Sequence, residues 1–262
     1  MDEEGNLNLR VQMYVIETPG GKRIAVDTCM GNDKDLGEEC PVGHMRSGPF
    51  LQKLSEAGCP PESVDVVVCT HLHWDHVGFN TVKVDGAWVP TFPQARYLFP
   101  RLEWAYWQEE LASGRESFQR TDSVFEESLR PVLDAGLVQL VEAPCVVAEE
   151  AGVRVSLRPT PGHSPGHVSV VVEADGQSAI ITGDCIHHPA QVAHPSLGTF
   201  YDSCSSEACE TRRSLLKDAA ERRALLIGTH FAVPSAGYVQ EDAQGSGHYR
   251  FLPMTCQPCR PP

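Results

Sequence analysis

The chain has 262 residues, 41% of them hydrophobic, which is enough for one large domain or two small ones with a substantial core. Its formal net charge of −14 argues against binding to nucleic acid or to an anionic membrane surface, because both need a basic face. No apolar stretch reaches the roughly 18 residues of a membrane span, and the acidic start at residues 1–5 differs from a secretory signal.

The ten cysteines are scattered along the chain. Cys69 and Cys145 lie in apolar runs, where a free thiol behaves as a small hydrophobic group. The pattern therefore predicts no disulfide framework and a reducing, cytoplasmic location. Cys256 and Cys259 form a C-x-x-C pair with no second pair, and we interpret it as a feature of the tail and not as a zinc ribbon.

The first elements in chain order are strands. Alternating apolar residues over 9–17 and the run 23–28 predict a hairpin around a Pro-Gly-Gly turn. A polar loop follows at 29–47, then a short amphipathic helix over 49–57. The β-branched run 64–69 predicts a buried strand.

Beyond residue 77 the predicted elements alternate between strands and helices. They are a loop or hairpin at 78–93, a strand at 95–99, helices at 100–111 and 122–135, strands at 137–141, 145–148 and 153–158, a rigid turn at 159–167, strands at 168–173 and 178–182, an irregular segment at 183–205, a helix at 206–223, a strand at 224–229 and a hairpin pairing 238–240 with 248–251. We expect a single domain over 1–252 and a frayed tail over 253–262.

The stretch Thr70 to His76 reads Thr-His-Leu-His-Trp-Asp-His and directly follows the predicted buried strand. Open α/β sheets place their sites at such strand ends. In an extended chain His71 and His73 point to the same side, and Asp75 and His76 on a following turn reach a second point. One stretch can therefore serve two metal ions.

Three later strand ends carry the same kinds of ligand. His163 lies in Pro-Gly-His-Ser-Pro-Gly-His, Asp184 follows Ile-Ile-Thr-Gly, and His230 follows Leu-Ile-Gly-Thr. Imidazole and carboxylate groups are what zinc and similar ions bind when no thiolate is present.

These motifs, in this order, resemble the metallo-β-lactamase-fold hydrolase superfamily over about residues 9–251. The run Val26-Asp27-Thr28 is also similar to the first motif of that family. The longer run from Thr70 to Thr81, with the later Thr-Gly-Asp and Gly-Thr-His-Phe runs, resembles its lactonase- and esterase-like branch.

The resemblance implies an α/β fold, an αββα sandwich of two mixed β-sheets flanked by helices. It also implies two divalent metal ions per chain, zinc first, with manganese, iron or cobalt as alternatives. His71, His73 and His163 would hold one ion, Asp75, His76 and His230 the other, and Asp184 would bridge them. A hydroxide between the ions would attack the substrate, and we expect Asp75 to orient it and Asp27 to support the site without being a ligand.

Comparison with other branches narrows the substrate. Thiolate-using and histidine-only β-lactamases differ from this chain at Asp184, and flavodiiron proteins usually have glutamate at the position of His73. Glyoxalase II enzymes carry a helical domain after the last ligand. RNase Z relatives need a basic RNA-binding arm. A small ester or lactone remains, such as an N-acyl-homoserine lactone or an aryl ester. Two alternatives stay open: organophosphate triester hydrolysis, and an inactive metal-binding interaction module.

Other side chains near these motifs are candidates for the pocket. We expect Tyr201 to contact a substrate carbonyl and His167 to form a hydrogen bond near His163. His187, His188 and His194 either line the cleft, orient Asp184 or serve only to pack their loop. Trp74, Phe79, Phe200 and Phe231 are candidate pocket walls, whereas Trp104 and Trp107 are predicted core. The loops 29–47, 79–94 and 185–205 would select the substrate, and a homodimer is compatible with the resemblance.

Overall fold

The computed structural model describes residues 7–37, 47–114, 121–243 and 245–254. The chain divides into two compact units, which we call unit N (Val11–Glu142) and unit C (Met1–Arg10 with Ala143–Pro262). Each contains a mixed β-sheet and helices, so the predicted α/β class with mixed sheets is confirmed. The single domain over 1–252 stays a prediction. Part of the predicted loop 29–47, the C-x-x-C pair and most of the predicted tail lie outside the described residues.

Unit N is built on a five-stranded sheet in the order β1-β2-β3-β6-β7. Its elements are β1 Tyr14–Glu17, β2 Arg23–Val26, α1 Phe50–Glu56, β3 Val66–Val68, α2 Trp74–Val77, β4 Thr81–Val84, β5 Ala87–Pro90, β6 Arg96–Pro100, α3 Arg101–Ser113, α4 Thr121–Val124, α5 Arg130–Asp134 and β7 Val138–Val141. β3 pairs in parallel with both β2 and β6, and all three of its residues are buried. The metal-competent stretch therefore leaves the middle of this sheet at a carboxyl end.

The helix predicted over 122–135 is interrupted in the structure. A π-helical turn, Phe125–Leu129, separates α4 from α5. Pro131 has no N–H to donate to the Glu127 carbonyl four residues earlier. That carbonyl instead accepts hydrogen bonds from Lys34 Nζ, at 2.9 Å, and from the Thr81 hydroxyl. The interruption thus fastens the segment around Lys34 to the helix.

Lys34 is almost fully buried in this contact. Its ammonium also donates to Thr81 Oγ1 at 2.6 Å and lies 3.6 Å from the centre of the Trp88 ring on β5. Burial lowers the pKa of Lys34 to about 7, although Glu127 nearby acts in the opposite direction.

Unit C is built on a seven-stranded sheet in the order β14-β13-β12-β11-β10-β9-β8. Its elements are β8 Cys145–Glu150, β9 Val153–Pro159, β10 Val168–Ala174, β11 Gln177–Ile181, α6 Ala190–Ala193, α7 Ser205–Arg222, β12 Leu225–Ile227, β13 Ala236–Glu241 and β14 Tyr249–Pro253. β11 and β12 are parallel, so their carboxyl ends meet at one edge. Asp184 and His230 follow these two ends.

Each unit has its own apolar core. In unit N it is centred on Tyr97, Phe99 and Trp107, and in unit C on Leu215, Leu226 and Phe231, in agreement with the predicted core role of Trp107. Two aromatics predicted as pocket walls are buried instead. Phe79 stacks on Phe50 at 4.7 Å, and Phe231 meets Phe251 edge to face at 5.2 Å. Among the described residues, no helix combines the length and apolarity needed to cross a bilayer.

Candidate functional site

In unit N the three histidines of the 70–76 stretch lie together. His71 and His76 are completely buried and His73 is 6% exposed. The His71 ring centre is 4.4 Å from that of His73 and 4.1 Å from that of His76. Asp75 and His76 lie in α2, as expected for a turn after the strand, and Asp75 Oδ1 is 3.7 Å from His76 Nε2.

The buried carboxylate of Asp27 accepts hydrogen bonds from Thr70 and His76 and so helps to fix the histidine rings. Its Oδ1 accepts the Thr70 N–H at 2.8 Å, and its Oδ2 accepts the Thr70 hydroxyl at 3.0 Å and His76 Nδ1 at 2.9 Å. A carboxylate only accepts, so His76 carries its proton on Nδ1. The Thr70 hydroxyl donates to Asp27 and therefore accepts from His71 Nδ1, at 3.0 Å. Both rings then have their lone pair on Nε2, the nitrogen that a metal would use.

A buried carboxylate binds the backbone of Leu72, the residue between His71 and His73, and no sequence motif predicted it. Glu103, on α3, accepts the Leu72 N–H at 3.2 Å and the Trp107 indole N–H at 2.7 Å. The His73 ring lies edge to face against Trp107, with ring centres 5.6 Å apart. Trp107 is therefore both core and support for a candidate ligand.

In unit C the carboxylate of Asp184 faces two candidate ligands with different oxygens. Its Oδ2 is 3.3 Å from His163 Nε2, and its Oδ1 is 3.0 Å from His230 Nε2. Two ligand atoms in a tetrahedral site with bonds near 2.0–2.1 Å lie about 3.3 Å apart. The spacing fits a carboxylate that shares one oxygen with each of two ions.

The histidines of unit C are also held through Nδ1. His163 Nδ1 donates to Asp202 Oδ1 at 3.1 Å, and His230 Nδ1 donates to the Arg10 carbonyl at 2.7 Å. These acceptors fix the Nε2 lone pair of each ring, as in unit N. Although burial opposes it, the hydrogen bond from His163 lowers the pKa of Asp202.

His167 supports Asp184 through the backbone. Its Nε2 accepts the Asp184 N–H at 2.9 Å, and its Nδ1 lies 2.8 Å from the Thr160 hydroxyl. The predicted hydrogen bond near His163 is therefore present, and its partner is Asp184, whose carboxylate lies 3.3 Å from His163 Nε2.

His187 lies closest to Asp184 among the three histidines predicted near the cleft. Its Nε2 is 3.2 Å from Asp184 Oδ2, and its ring stacks parallel to that of His230 with centres 5.5 Å apart. Burial lowers its pKa, against the opposing effect of Asp184. His188 accepts the Ala190 N–H within the same loop, at 3.1 Å.

Tyr201 is half-buried, and its ring centre is 3.8 Å from that of Phe200, a side chain that is 79% exposed.

Cys185 is buried beside Asp184. Burial raises the pKa of its thiol to about 12, so the thiol is unreactive at neutral pH.

Sequence reasoning missed three supporting groups: Glu103, Asp202 and the Arg10 carbonyl. None belongs to a motif, and each acts on a residue distant in the chain, as with His163 and Asp202, 39 positions apart. The supports from Asp27 and His167 did carry a sequence signal, in the Val-Asp-Thr run and in the Pro-Gly-His-Ser-Pro-Gly-His run.

Solved structures with similar folds include the hydrolase AbOPH of the beta-lactamase superfamily, with a TM-score of 0.76 and 23% identity over 97% of this chain and 82% of that one. Another is AidC, a dizinc quorum-quenching lactonase in complex with a product, with a TM-score of 0.71 and 20% identity over 94% and 80% of the two chains.

Among curated proteins, an N-acyl homoserine lactonase of Bacillus cereus is 30% identical over 188 residues, 68% of this chain. A second, from Bacillus thuringiensis, is 29% identical over 185 residues. The matches span 64% and 63% of the relatives' own length. The sequence profile of the metallo-beta-lactamase superfamily matches residues 8–230, which include every candidate ligand in the order that the motifs predicted. The chain therefore belongs to the metallo-beta-lactamase superfamily.

Proposed function

We propose that this chain is a dinuclear metal-dependent hydrolase that cleaves small esters or lactones. The observation that carries the proposal is the Asp184 carboxylate, with one oxygen toward His163 and the other toward His230. A carboxylate used in this way joins two ion sites.

Unit N offers His71, His73, Asp75 and His76 as possible ligands of an ion, and unit C offers His163, Asp184 and His230. We propose that His71, His73 and His163 form one group of ligands and that Asp75, His76 and His230 form the other. We propose one divalent ion for each group, with Asp184 bridging them. Neutral imidazole and carboxylate suit zinc, and they also accept manganese, iron or cobalt. The fixed Nδ1 protons support this assignment, since they leave the Nε2 lone pairs of His71, His76, His163 and His230 as donors.

Two such ions, when bound, supply a hydroxide nucleophile at neutral pH and polarise the substrate carbonyl. The protein's own groups would do the rest. Asp75, whose side chain is 15% exposed, would orient the attacking oxygen through its carboxylate. The Tyr201 hydroxyl would donate a hydrogen bond to the carbonyl oxygen. As the C–O bond breaks, the departing oxygen would take up the proton that the attacking hydroxide carried, so that the products are a carboxylate and an alcohol.

An N-acyl-homoserine lactone is the substrate class that the relatives' names support best, with aryl esters as the simpler test compounds. The cytoplasmic location is also part of the proposal. The cysteines in the described ranges are all free thiols, which supports a reducing compartment.

The test compares wild type with Asp184→Asn. Metal content is measured after gel filtration, and turnover is measured on an acyl-homoserine lactone, an aryl ester, a phosphotriester, a β-lactam and a glutathione thioester. Wild type should hold two ions and open the lactone or ester, and Asp184→Asn should lose at least 100-fold in turnover. Asp175→Asn is the matched control, because Asp175 is an exposed turn residue whose positive φ of 50° suits asparagine.

Fewer than one ion in the wild type, with no turnover on the panel, would refute the proposal. Full turnover by Asp184→Asn with both ions bound would refute the bridging role. Preferential phosphotriester turnover would assign the site to the alternative substrate class, and metal binding without any hydrolysis would favour the interaction module.

A further inference from the structure

Arg212 is a fully buried arginine on α7 that no motif explains. Its Nε donates to the Cys185 carbonyl at 2.9 Å. Its Nη1 donates to the carbonyls of Pro195 and Leu197, at 2.6 and 3.0 Å. One side chain therefore holds both ends of the segment 185–197 that follows Asp184.

The remaining nitrogen of the guanidinium faces Asp202. Arg212 Nη2 is 3.8 Å from Asp202 Oδ2 and has no hydrogen bond of its own. Both side chains are shielded from solvent, with exposures of 1% and 0%. Buried charges are unfavourable unless they are paired, so this contact stabilises both side chains.

Asp202 also contacts His163, a candidate metal ligand. Its Oδ1 accepts His163 Nδ1 at 3.1 Å and the Thr199 hydroxyl at 3.2 Å, and its Oδ2 accepts the Thr199 N–H at 3.1 Å. The carboxylate has donors on every side. A series of contacts thus runs from Arg212 on α7, through Asp202, to the His163 ring.

We propose that Arg212 is a positioning residue which, through Asp202, holds the proton of His163 on Nδ1 and so reserves Nε2 for metal, while its carbonyl contacts fix the segment 185–197. The proposal rests on the proposed function for the meaning of the Nε2 lone pair. It assigns α7, a helix without candidate ligands, a role in the ligand geometry.

The substitution Asp202→Asn tests the path directly. An asparagine amide must turn its NH2 either toward His163 or toward the Thr199 N–H and the guanidinium. In the second orientation the NH2 would face the Thr199 N–H and the positively charged Arg212 guanidinium, neither of which can accept a hydrogen bond. We therefore expect the NH2 to face His163. Nδ1 then becomes the acceptor, and the ring proton moves to Nε2.

Three more variants complete the set. Arg212→Lys keeps a charge but cannot reach all the carbonyls, and Arg212→Met removes the charge at similar length. Arg213→Met is the matched control, since Arg213 is the exposed neighbour on the same helix. If Arg212→Met fails to fold, Arg212→Lys and Asp202→Asn still decide the question.

The first measurement is the tautomer of His163 in metal-stripped protein, from long-range ¹H–¹⁵N NMR correlations of labelled histidine. The wild type and Arg213→Met should show the proton on Nδ1. Asp202→Asn should show it on Nε2, and Arg212→Lys a mixture. The second measurement is metal affinity by competition with a chelator, where we expect a 10–100-fold loss at one of the two sites.

An unchanged His163 tautomer and unchanged metal affinity in both Asp202→Asn and Arg212→Lys would overturn the proposal. The NMR readout needs neither metal nor substrate. A wild type that bound no metal would therefore refute the proposed function, while the tautomer shift would still decide the positioning role.

Discussion

Replacing Asp27 by asparagine tests how far the site depends on a residue that is not itself a candidate ligand. Asp27 is 1% exposed and accepts three hydrogen bonds, two from Thr70 and one from His76 Nδ1. Asparagine has almost the same shape and tolerates the positive φ of 56° at this position. The substitution therefore changes hydrogen bonding and charge with little effect on packing.

Either orientation of the new amide is unfavourable. If its NH2 takes the place of Oδ1, it faces the Thr70 N–H. If it takes the place of Oδ2, it faces the Thr70 hydroxyl and His76 Nδ1. Hydrogen bonds to a charged group contribute about 1.5–3 kcal/mol each, and a buried unsatisfied donor costs about 1–3 kcal/mol. We expect the metal-stripped protein to lose about 2–4 kcal/mol of unfolding free energy.

The effect on metal follows from the His76 tautomer. With the amide NH2 against Nδ1, His76 carries its proton on Nε2 and cannot donate to an ion through that nitrogen. Loss of such an outer partner typically weakens metal binding 10–100-fold. The loss should fall on the ion of the group that contains Asp75 and His76, and the other ion should stay bound.

The assay combines urea unfolding of the metal-stripped protein with metal content after dialysis against graded chelator. Asp65→Asn is the matched control, because Asp65 is exposed and also accepts a backbone N–H, from Arg23 at 2.8 Å. It should lose no more than about 1 kcal/mol and keep both ions. Wild-type stability and two-ion content in Asp27→Asn would refute the reasoning.

Three further predictions concern other parts of the chain. The pKa of Lys34 is lowered to about 7 in the folded state, so the unfolded state binds more protons above pH 7. The free energy of unfolding should therefore rise with pH by up to about 1.4 kcal/mol per pH unit between pH 7 and 8.5. Urea unfolding of Lys34→Met should lack this pH dependence, and an equal dependence would contradict the lowered pKa of Lys34. Gly78→Ala would place a Cβ 1.9 Å from the Met30 carbonyl carbon, so it should cost about 3 kcal/mol or more in urea unfolding, whereas Gly48→Ala meets open space and should be neutral. Tyr201→Phe should lower kcat/KM for lactones about 100–1,000-fold with both ions retained, and an unchanged value would exclude its hydroxyl from the reaction.

The sequence made the candidate ligands visible because they are concentrated at strand ends. Runs such as Val64–Cys69 and Ala179–Thr182 are apolar and short, so their ends, and the polar residues that follow, were visible in the pattern. The bounds predicted for the helix before β12 were within one residue, and those of the two strands of the final hairpin were within two.

The supports of the site were not visible for a physical reason. Glu103, Asp202 and Arg212 are charged residues in otherwise ordinary segments, and their burial depends on partners that only the fold brings near. The π-helical turn was missed in a similar way, because the pattern of 122–135 is helical and the effect of Pro131 is local. Phe231 was misjudged since an aromatic beside a ligand can face the core as readily as the substrate.

The hydrogen bonds between His230 and Arg10 have a consequence for folding during translation. The Arg10 N–H donates to the His230 carbonyl at 3.0 Å, and Leu9 forms a β-bridge with Phe231. Residues at the start of the chain thus complete a unit whose sheet is encoded after residue 143. While the ribosome is still making residues 143–230, Leu9 and Arg10 must wait for their partners, although the candidate ligands of the 70–76 stretch have already been synthesised. Metal binding by the full proposed set of ligands would therefore be a late event, after His230 and Arg10 have met.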